Sequence, residues 1–407
     1  MSVDVRTRVD GQVAAPSAVD TFTEVLPAAF AARADLLAPA AALFSPPPLA
    51  VEVASAGLWT LTTSNGAVTV DEGAPEGAAR LRLDAGQLED LVTDQATPMG
   101  WFAGGRLDLD GRLHDLLDWW LLLRGALDGR SPTLPGEIDC KAPDGSPLDL
   151  GRRFTLDDPP DEVSHFLQEA GFLHLTGVFD EAEMDAISSD MDAAAPVYTQ
   201  GDGRSWWATT ADGVDRLVRM EHFDEASPRT AALAGDPRFV ALAAIPGAGH
   251  EWGPAGSNRI EALFKPIGVT RGISDVPWHK DCSLGRHSYD CCSLTTGISV
   301  TGADAVSGQL KVVAGSHRAL VWPALLQPAM DLPVVPLPTR TGDVTVHLSC
   351  TLHMAQPPVE RERRVLYTSF RLPAIDAAAA AEARRRLGEV REAAPVSVSQ
   401  PPSHVAG

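Results

Sequence analysis

The stretch "VPWHKDCS", Val276 to Ser283, decides how the second half of this chain is read. His279 and Asp281 stand two apart among residues that are mostly apolar or small. Side chains in a β-strand alternate between faces, so on a strand these two share one face. The pair is then either a buried ion pair or two-thirds of a metal site. A second His-x-Asp, His222-Phe223-Asp224, shows that the spacing by itself carries little. The residues downstream of each pair must discriminate.

A 2-His-1-carboxylate face suits ferrous iron and leaves positions open for a co-substrate and oxygen. For His279 and Asp281 the candidate third ligand is His353, in "GDVTVHLSCTLHMAQ", Gly342 to Gln356. Eleven residues later comes Arg364, at the head of the alternating run "RVLYTSF". An arginine there can reach into a barrel and hold a dicarboxylate with a two-pronged hydrogen bond. Arg361 and Arg363 lie beside it, and alternation lets only one of Arg363 and Arg364 point inward. The spacing from His353 favours Arg364. From His222, none of the later His279, His287 or His317 has an arginine eleven positions on. Singly, each residue could be a buried pair, a core histidine or a surface charge; in register they make one site.

The segments "LFKPIGVTRGISDVPWHKD", "SGQLKVVAGSHR" and "GDVTVHLSCTLH…RRVLY" resemble the phytanoyl-CoA dioxygenase family of Fe(II)/2-oxoglutarate oxygenases, from about residue 160 to 373. The resemblance implies a double-stranded β-helix (jelly-roll, cupin-like) with flanking helices, using Fe(II), 2-oxoglutarate and O2. It implies His279, Asp281 and His353 as iron ligands and Arg364 for the tail of 2-oxoglutarate. Lys265, in "KPIG", matches a family lysine that also contacts 2-oxoglutarate. Ala355 stands where the family usually has serine, and Ala314-Gly315-Ser316-His317 where it has "PGSH". Trp278, His287 and Tyr289 are candidates for the substrate pocket, with His222 and the Arg216–Arg219 segment behind them. Related iron halogenases replace the carboxylate ligand by a small residue, so Asp281 points to hydroxylation of an unactivated C–H bond, with succinate and CO2 as co-products.

Ahead of this lies a different pattern. An alanine-rich helical stretch around Glu24 to Leu43 is broken by Ser45–Pro48. "LWTLTTSNGAVTV" alternates about Ser64-Asn65-Gly66 and reads as a hairpin with a tight turn. "ARLRLD" and "GRLDLDG" alternate likewise, followed by the helix-like "AGQLEDLVTD" and "LHDLLDWWLLLRGAL". Helices against a small antiparallel sheet make this an α+β unit. The hairpin, the helix Gln87 to Thr93, the Gly105 to Gly111 strand and the closing helix Leu113 to Leu127 resemble the sterol carrier protein family. That likeness implies an apolar tunnel for a lipid, although Trp59, Trp101, Phe102, Trp119 and Trp120 could equally build a core. The organisation expected is a leader at 1–20, a carrier-like domain at 21–130, a Pro/Gly-rich connector at 131–152, an oxygenase domain at 153–373, and a terminal helix and tail at 374–407. The substrate expected is a small molecule, apolar or acyl-type, an acyl thioester included; a terpenoid, polyketide or amino acid derivative is the alternative, and a non-catalytic lipid binder the rival reading.

The 407 residues, 44% of them hydrophobic, are ample for such cores. A net charge of −21 gives no electrostatic basis for binding nucleic acid or an anionic membrane. The N-terminal residues lack the apolar core of a signal peptide and no apolar run is long enough to span a bilayer, so a cytoplasmic enzyme is expected. Cys140, Cys282, Cys291, Cys292 and Cys350 form no regular framework. Without a C-x-x-C knuckle they read as thiols rather than as a zinc site.

Overall fold

The computed structural model describes residues 15–372 apart from 248, 253–259, 273, 283–288 and 290–292. The C-terminal helix expected beyond 373, and His287, lie outside the described residues.

Alanine and leucine favour helix, and the first helical turns need only a cap to begin. Ser17 supplies it, accepting from the Asp20 amide. The chain is already helical at α1 (Ala18–Asp20), inside the span expected to be a leader, and continues through a π-turn at Thr21–Val25 into α2 (Leu26–Ala32). A 94° bend separates α2 from α3 (Ala34–Phe44). Ser45 ends α3 in the left-handed conformation, ahead of the prolines that forbid continuation. Strands β1 (Leu49–Val53), β2 (Gly57–Ser64), β3 (Ala67–Glu72), β4 (Ala79–Leu83) and β5 (Asp108–Asp110) form one sheet in the order β3-β2-β1-β4-β5. Asn65 and Gly66, with φ of 51° and 81°, make the β2–β3 turn. The expected antiparallel sheet is in fact mixed, because β1 pairs parallel with β4. Pairing partners depend on tertiary placement, and the alternation of either strand is blind to them. Helices α4 (Ala85–Val92), opened by an Asp84–Gln87 capping box, α5 (Pro98–Ala103) and α6 (Leu113–Asp128) complete this part. Every α6 residue from Leu116 to Ala126 is buried, an all-round burial that only a helix covered on both sides shows.

The second part opens with α7 (Pro160–Ala170), stopped by Gly171 at φ 79°. Then come β6 (Phe172–Leu175) and α8 (Glu181–Ala194), whose Asp180–Glu183 capping box is complete. The remaining strands are β7 (Ser205–Thr210), β8 (Asp215–Met220), β9 (Glu251–Trp252), β10 (Glu261–Lys265), β11 (Val269–Arg271), β12 (Leu294–Ser299), β13 (Leu310–Val313), β14 (Val334–Leu337), β15 (Val344–Leu348), β16 (His353–Ala355) and β17 (Arg363–Arg371). Among the described residues the larger sheet runs β11-β7-β8-β10-β17-β12-β15-β6, with β9 on the end of β17, and the smaller runs β14-β13-β16. All these pairings are antiparallel, giving a jelly roll. One face of the larger sheet carries Met220, Ala262, Leu366, Ile298 and Leu294 into a core shared with α7 and α8. The other face is the one that matters for chemistry. Among the described residues no single helix is long and apolar enough to cross a membrane.

Candidate metal and co-substrate site

His279 and His353 are a direct cross-strand pair. Each backbone N–H donates to the other's carbonyl at 2.9 Å, so 74 residues of sequence separation collapse to one β-bridge. Alternation then sends His279 and Asp281 inward and Lys280 outward. The Lys280 ammonium is fully buried and donates to the carbonyls of Ser316 and Ala319, at 2.9 and 3.1 Å. Ser316 in turn accepts from the Leu352 amide through Oγ at 2.7 Å. The "AGSHR" turn therefore locks both ligand-bearing segments from behind. His317 in that turn bonds the Gln168 carbonyl at 3.0 Å, and burial pushes its pKa down to about 3.

Inside, one ring nitrogen from each of His279 and His353 and one oxygen of Asp281 lie within 4.8 Å of one another, the one cluster of this kind among the described residues. The Nδ1 of His279 lies 2.6 Å from the Pro277 carbonyl, and that of His353 lies 2.8 Å from the Thr351 carbonyl. A carbonyl can only accept, so each ring carries a proton on Nδ1 and turns its Nε2 to the centre. These stand 3.2 and 3.6 Å from Asp281 Oδ1. Burial, with the neighbouring imidazoles His347 and His279, holds His353 well below the ordinary histidine range and therefore neutral. Burial works against the Asp281 carboxylate, but the facing imidazoles more than offset it and keep the group ionised. Two imidazoles and one carboxylate are the donor set that a divalent first-row metal takes.

The co-substrate arginine needs a correction. Arg364, assigned by counting from His353, points outward. Its guanidinium reaches Ser188 and Asp192 on α8, at 2.9 and 2.8 Å, and lies 5.0 Å from the Phe264 ring. Its neighbour takes the inward position, because β17 alternates and Lys265 pairs with Arg363 in the β10–β17 register. Arg363 is 5% exposed, and its Nε and Nη2 have no hydrogen-bond partner. Beside it, the buried Lys265 ammonium donates to the Ser274 carbonyl and stands 3.7 Å from Asp275. Burial, with Arg363 and Arg219 nearby, lowers Lys265 to about 7. Two buried cations with donors to spare, and one half-paired carboxylate, fit an anion.

The pocket residues are also redistributed. Trp278 precedes His279 at a bend and is half-buried. Tyr289 is buried against the first part of the chain: its hydroxyl donates to Asp128, and Arg130 stacks 4.1 Å over its ring. It packs with Met99, Leu117 and Leu121 rather than lining a pocket. Cys282 and Cys350 bring their sulfurs to 2.6 Å, outside the ligand cluster.

Arg219, from the Arg216–Arg219 segment already named as a pocket candidate, lines the same inner face with residues that spacing did not reveal. The registers place Arg219, Glu261, Tyr367, Ser369, Thr295 and His347 together on it. Arg219 pairs with Glu261 and stacks 4.7 Å from the Trp206 ring. Thr295 donates to Asp281 Oδ2 at 2.8 Å. His347 could have been found: it sits six before His353 in the run "VTVHL", where a lone polar ring among buried apolar residues invites the question of its partner.

Solved structures to which part of the chain is similar include the following, all at low identity. The chain is similar to EvdMO1 (22% identical over 53% of this chain and 50% of that one, TM-score 0.42), so it spans about half of EvdMO1's length. It is similar to AviO1 from Streptomyces viridochromogenes Tue57 (21%, 53% and 96%, TM-score 0.43). It is also similar to EctD from S. alaskensis, crystallised with 2-oxoglutarate and 5-hydroxyectoine (16%, 58% and 83%, TM-score 0.43). No curated protein sequence matches the chain. Residues 167–364 match the phytanoyl-CoA dioxygenase (PhyH) family, a span that contains Lys265, the His279–Asp281–His353 cluster and Arg363, and the chain thus carries a domain of that family.

Proposed function

We propose that this domain is an Fe(II)- and 2-oxoglutarate-dependent oxygenase that hydroxylates an unactivated C–H bond of a small molecule. The observation that carries the reading is the pairing, inside one barrel, of a three-donor face with a buried arginine whose Nε and Nη2 have no partner. His279, Asp281 and His353 would hold the iron on one face. Arg363 would grip the far carboxylate of 2-oxoglutarate through a charge-assisted hydrogen bond, with Lys265 adding a second cation. Bound iron, 2-oxoglutarate and O2 supply the oxidising chemistry. The protein's share is orientation and exclusion of water from a face walled by β10, β12, β15 and β17.

The same wall bears on substrate class. The half-exposed residues on it are Arg219, Glu261, Tyr367, Ser369 and Thr295, with Trp206 alongside. Such a surface favours a polar, hydrogen-bonding substrate of specialised metabolism over a bare acyl chain. The carrier-like reading of the first part would need a tunnel, and the apolar cavity there, lined by Phe22, Leu81, Leu88 and Trp120, measures only about 20 Å³. That is room for about one water, not for an acyl chain.

The test is anaerobic addition of Fe(II) and 2-oxoglutarate, reading the visible charge-transfer band of the chelate. The wild type should show the band, His279→Ala should lose it, Arg363→Leu should need far more 2-oxoglutarate, and Arg364→Leu should titrate like the wild type. No band in the wild type, together with no heat of 2-oxoglutarate binding, would sink the proposal.

A further inference from the structure

The Asp281 carboxylate has two ends with different surroundings. Oδ1 faces the Nε2 atoms of the two ligand histidines. Oδ2 turns the other way, toward the sheet, where it accepts the Thr295 hydroxyl at 2.8 Å. Cross-strand from Thr295, in the β12–β15 register, stands His347. Its side chain is 1% exposed, its Nε2 lies 3.6 Å from the same Oδ2, and neither ring nitrogen has a hydrogen-bond partner. Its ring lies 4.2 Å from that of His353, tilted by 48°.

A buried imidazole with two unsatisfied nitrogens is costly and is not what strand propensity or packing would select at this position. An apolar residue such as valine would fill a strand interior without that cost. Nor does His347 join the ligand cluster: the three-donor group is compact, and His347 is not part of it. What its Nε2 faces is the outer oxygen of the carboxylate ligand.

We infer that His347 and Thr295 form a clamp on Asp281 Oδ2 that reserves the carboxylate for one-point coordination through Oδ1. The Thr295 hydroxyl donating to the outer oxygen, with the His347 ring facing it from 3.6 Å, makes that oxygen a poor second metal ligand. A carboxylate free to chelate through both oxygens would occupy a coordination position that 2-oxoglutarate or oxygen requires. His347 is thus a positioning residue, acting on the metal through Asp281, and this role rests on the metal-site reading above.

The test uses the full-length protein with Co(II) as the probe, read by calorimetry and by visible ligand-field absorption, whose intensity reports coordination number. His347→Phe and Thr295→Val should each weaken Co(II) binding about tenfold to a hundredfold and alter the absorption band. His347→Gln, which keeps an N–H donor, should recover much of both. Folding is checked by near-ultraviolet circular dichroism, and if His347→Phe does not fold, the Gln and Thr295→Val proteins decide. Unchanged affinity and spectrum in the folded variants would overturn the clamp while leaving the metal site standing. A loss well beyond a thousandfold in His347→Phe, not recovered by glutamine, would overturn it in favour of a fourth ligand. A wild type that takes up neither Co(II) nor Fe(II) would overturn the clamp together with the metal site.

Discussion

Lys265 shows how a single buried charge can tie ligand binding to pH. Burial lowers it to about 7, so near neutrality it is about half protonated in the free protein. A dianion bound beside it and Arg363 favours the charged form and raises the pKa, so binding takes up a proton above pH 7. The affinity for 2-oxoglutarate should therefore fall as pH rises from 7 to 9, by up to about tenfold per unit. Lys265→Met should bind more weakly at pH 7 and with a flatter profile. Calorimetry in two buffers of different ionisation heat would show the proton uptake in the wild type alone. That His279 and Asp281 share one face was legible in the sequence, because His-x-Asp on a strand is a local rule. The arginine was not: the irregular segment from Gln356 to Glu362 separates His353 from β17, and counting across it does not fix which face a side chain takes. Tyr289 was misplaced for a related reason, since its hydroxyl partner Asp128 lies 161 residues away.

Among the elements, the α7–β6 junction bears directly on the ligand strand. Gly171 ends α7 with φ 79°, and its carbonyl accepts from the Leu348 amide at 2.9 Å and the Thr351 hydroxyl at 2.7 Å. A Cβ at this position would lie 2.3 Å from His317 Nδ1 and 2.8 Å from Thr351 Oγ1. Gly171→Ala should then cost about 2–4 kcal/mol, the sum of a left-handed conformation and a packing clash. Gly201 offers the comparison, with φ 84° and open space around its missing Cβ. Gly201→Ala should cost only the conformational share, about 1–2 kcal/mol. Denaturant midpoints of the two variants measure the difference. Helix ends of this kind were readable, because glycine after a periodic run and a capping box such as Asp180–Glu183 are sequence signatures. The parallel β1–β4 pair was not, since alternation shows that a strand exists but not what lies beside it.

Across the whole molecule, the two parts are joined more closely than a flexible connector would allow. Trp322 donates its indole N–H to Asp118 on α6 at 2.9 Å, and His114 on the same helix packs edge-on against the Trp322 ring. Pro132 and Thr133 pair with Leu320. The same segment continues to Pro323, whose carbonyl accepts from the Lys280 amide, and to Ala324, which bridges His279. Helix α6 is therefore tied, through Trp322, to the segment that bridges His279. Burial raises Asp118 to about 6, against the opposing pull of His114 and Trp322. The folded protein thus holds this proton where the unfolded chain has lost it, and stability from this group falls as pH rises from about 4 to 6. Asp118→Asn keeps an acceptor for Trp322 without that loss. Its melting temperature relative to wild type should rise between pH 4 and pH 7, by the equivalent of about 2–3 kcal/mol. A difference that stays constant with pH would show that Asp118 is not the group responsible.

The β-bridge between His279 and His353 has a thermodynamic side. An ion gripped by both imidazoles would staple a loop of 74 residues shut, acting on the unfolded ensemble as a cross-link does. The two amides of that bridge cannot both open while the staple holds. Their hydrogen exchange should slow as metal is added, in proportion to site occupancy, while amides of the β2–β3 hairpin in the first part stay unchanged. Metal uptake would then be readable as mechanical closure of the barrel, without any turnover at all.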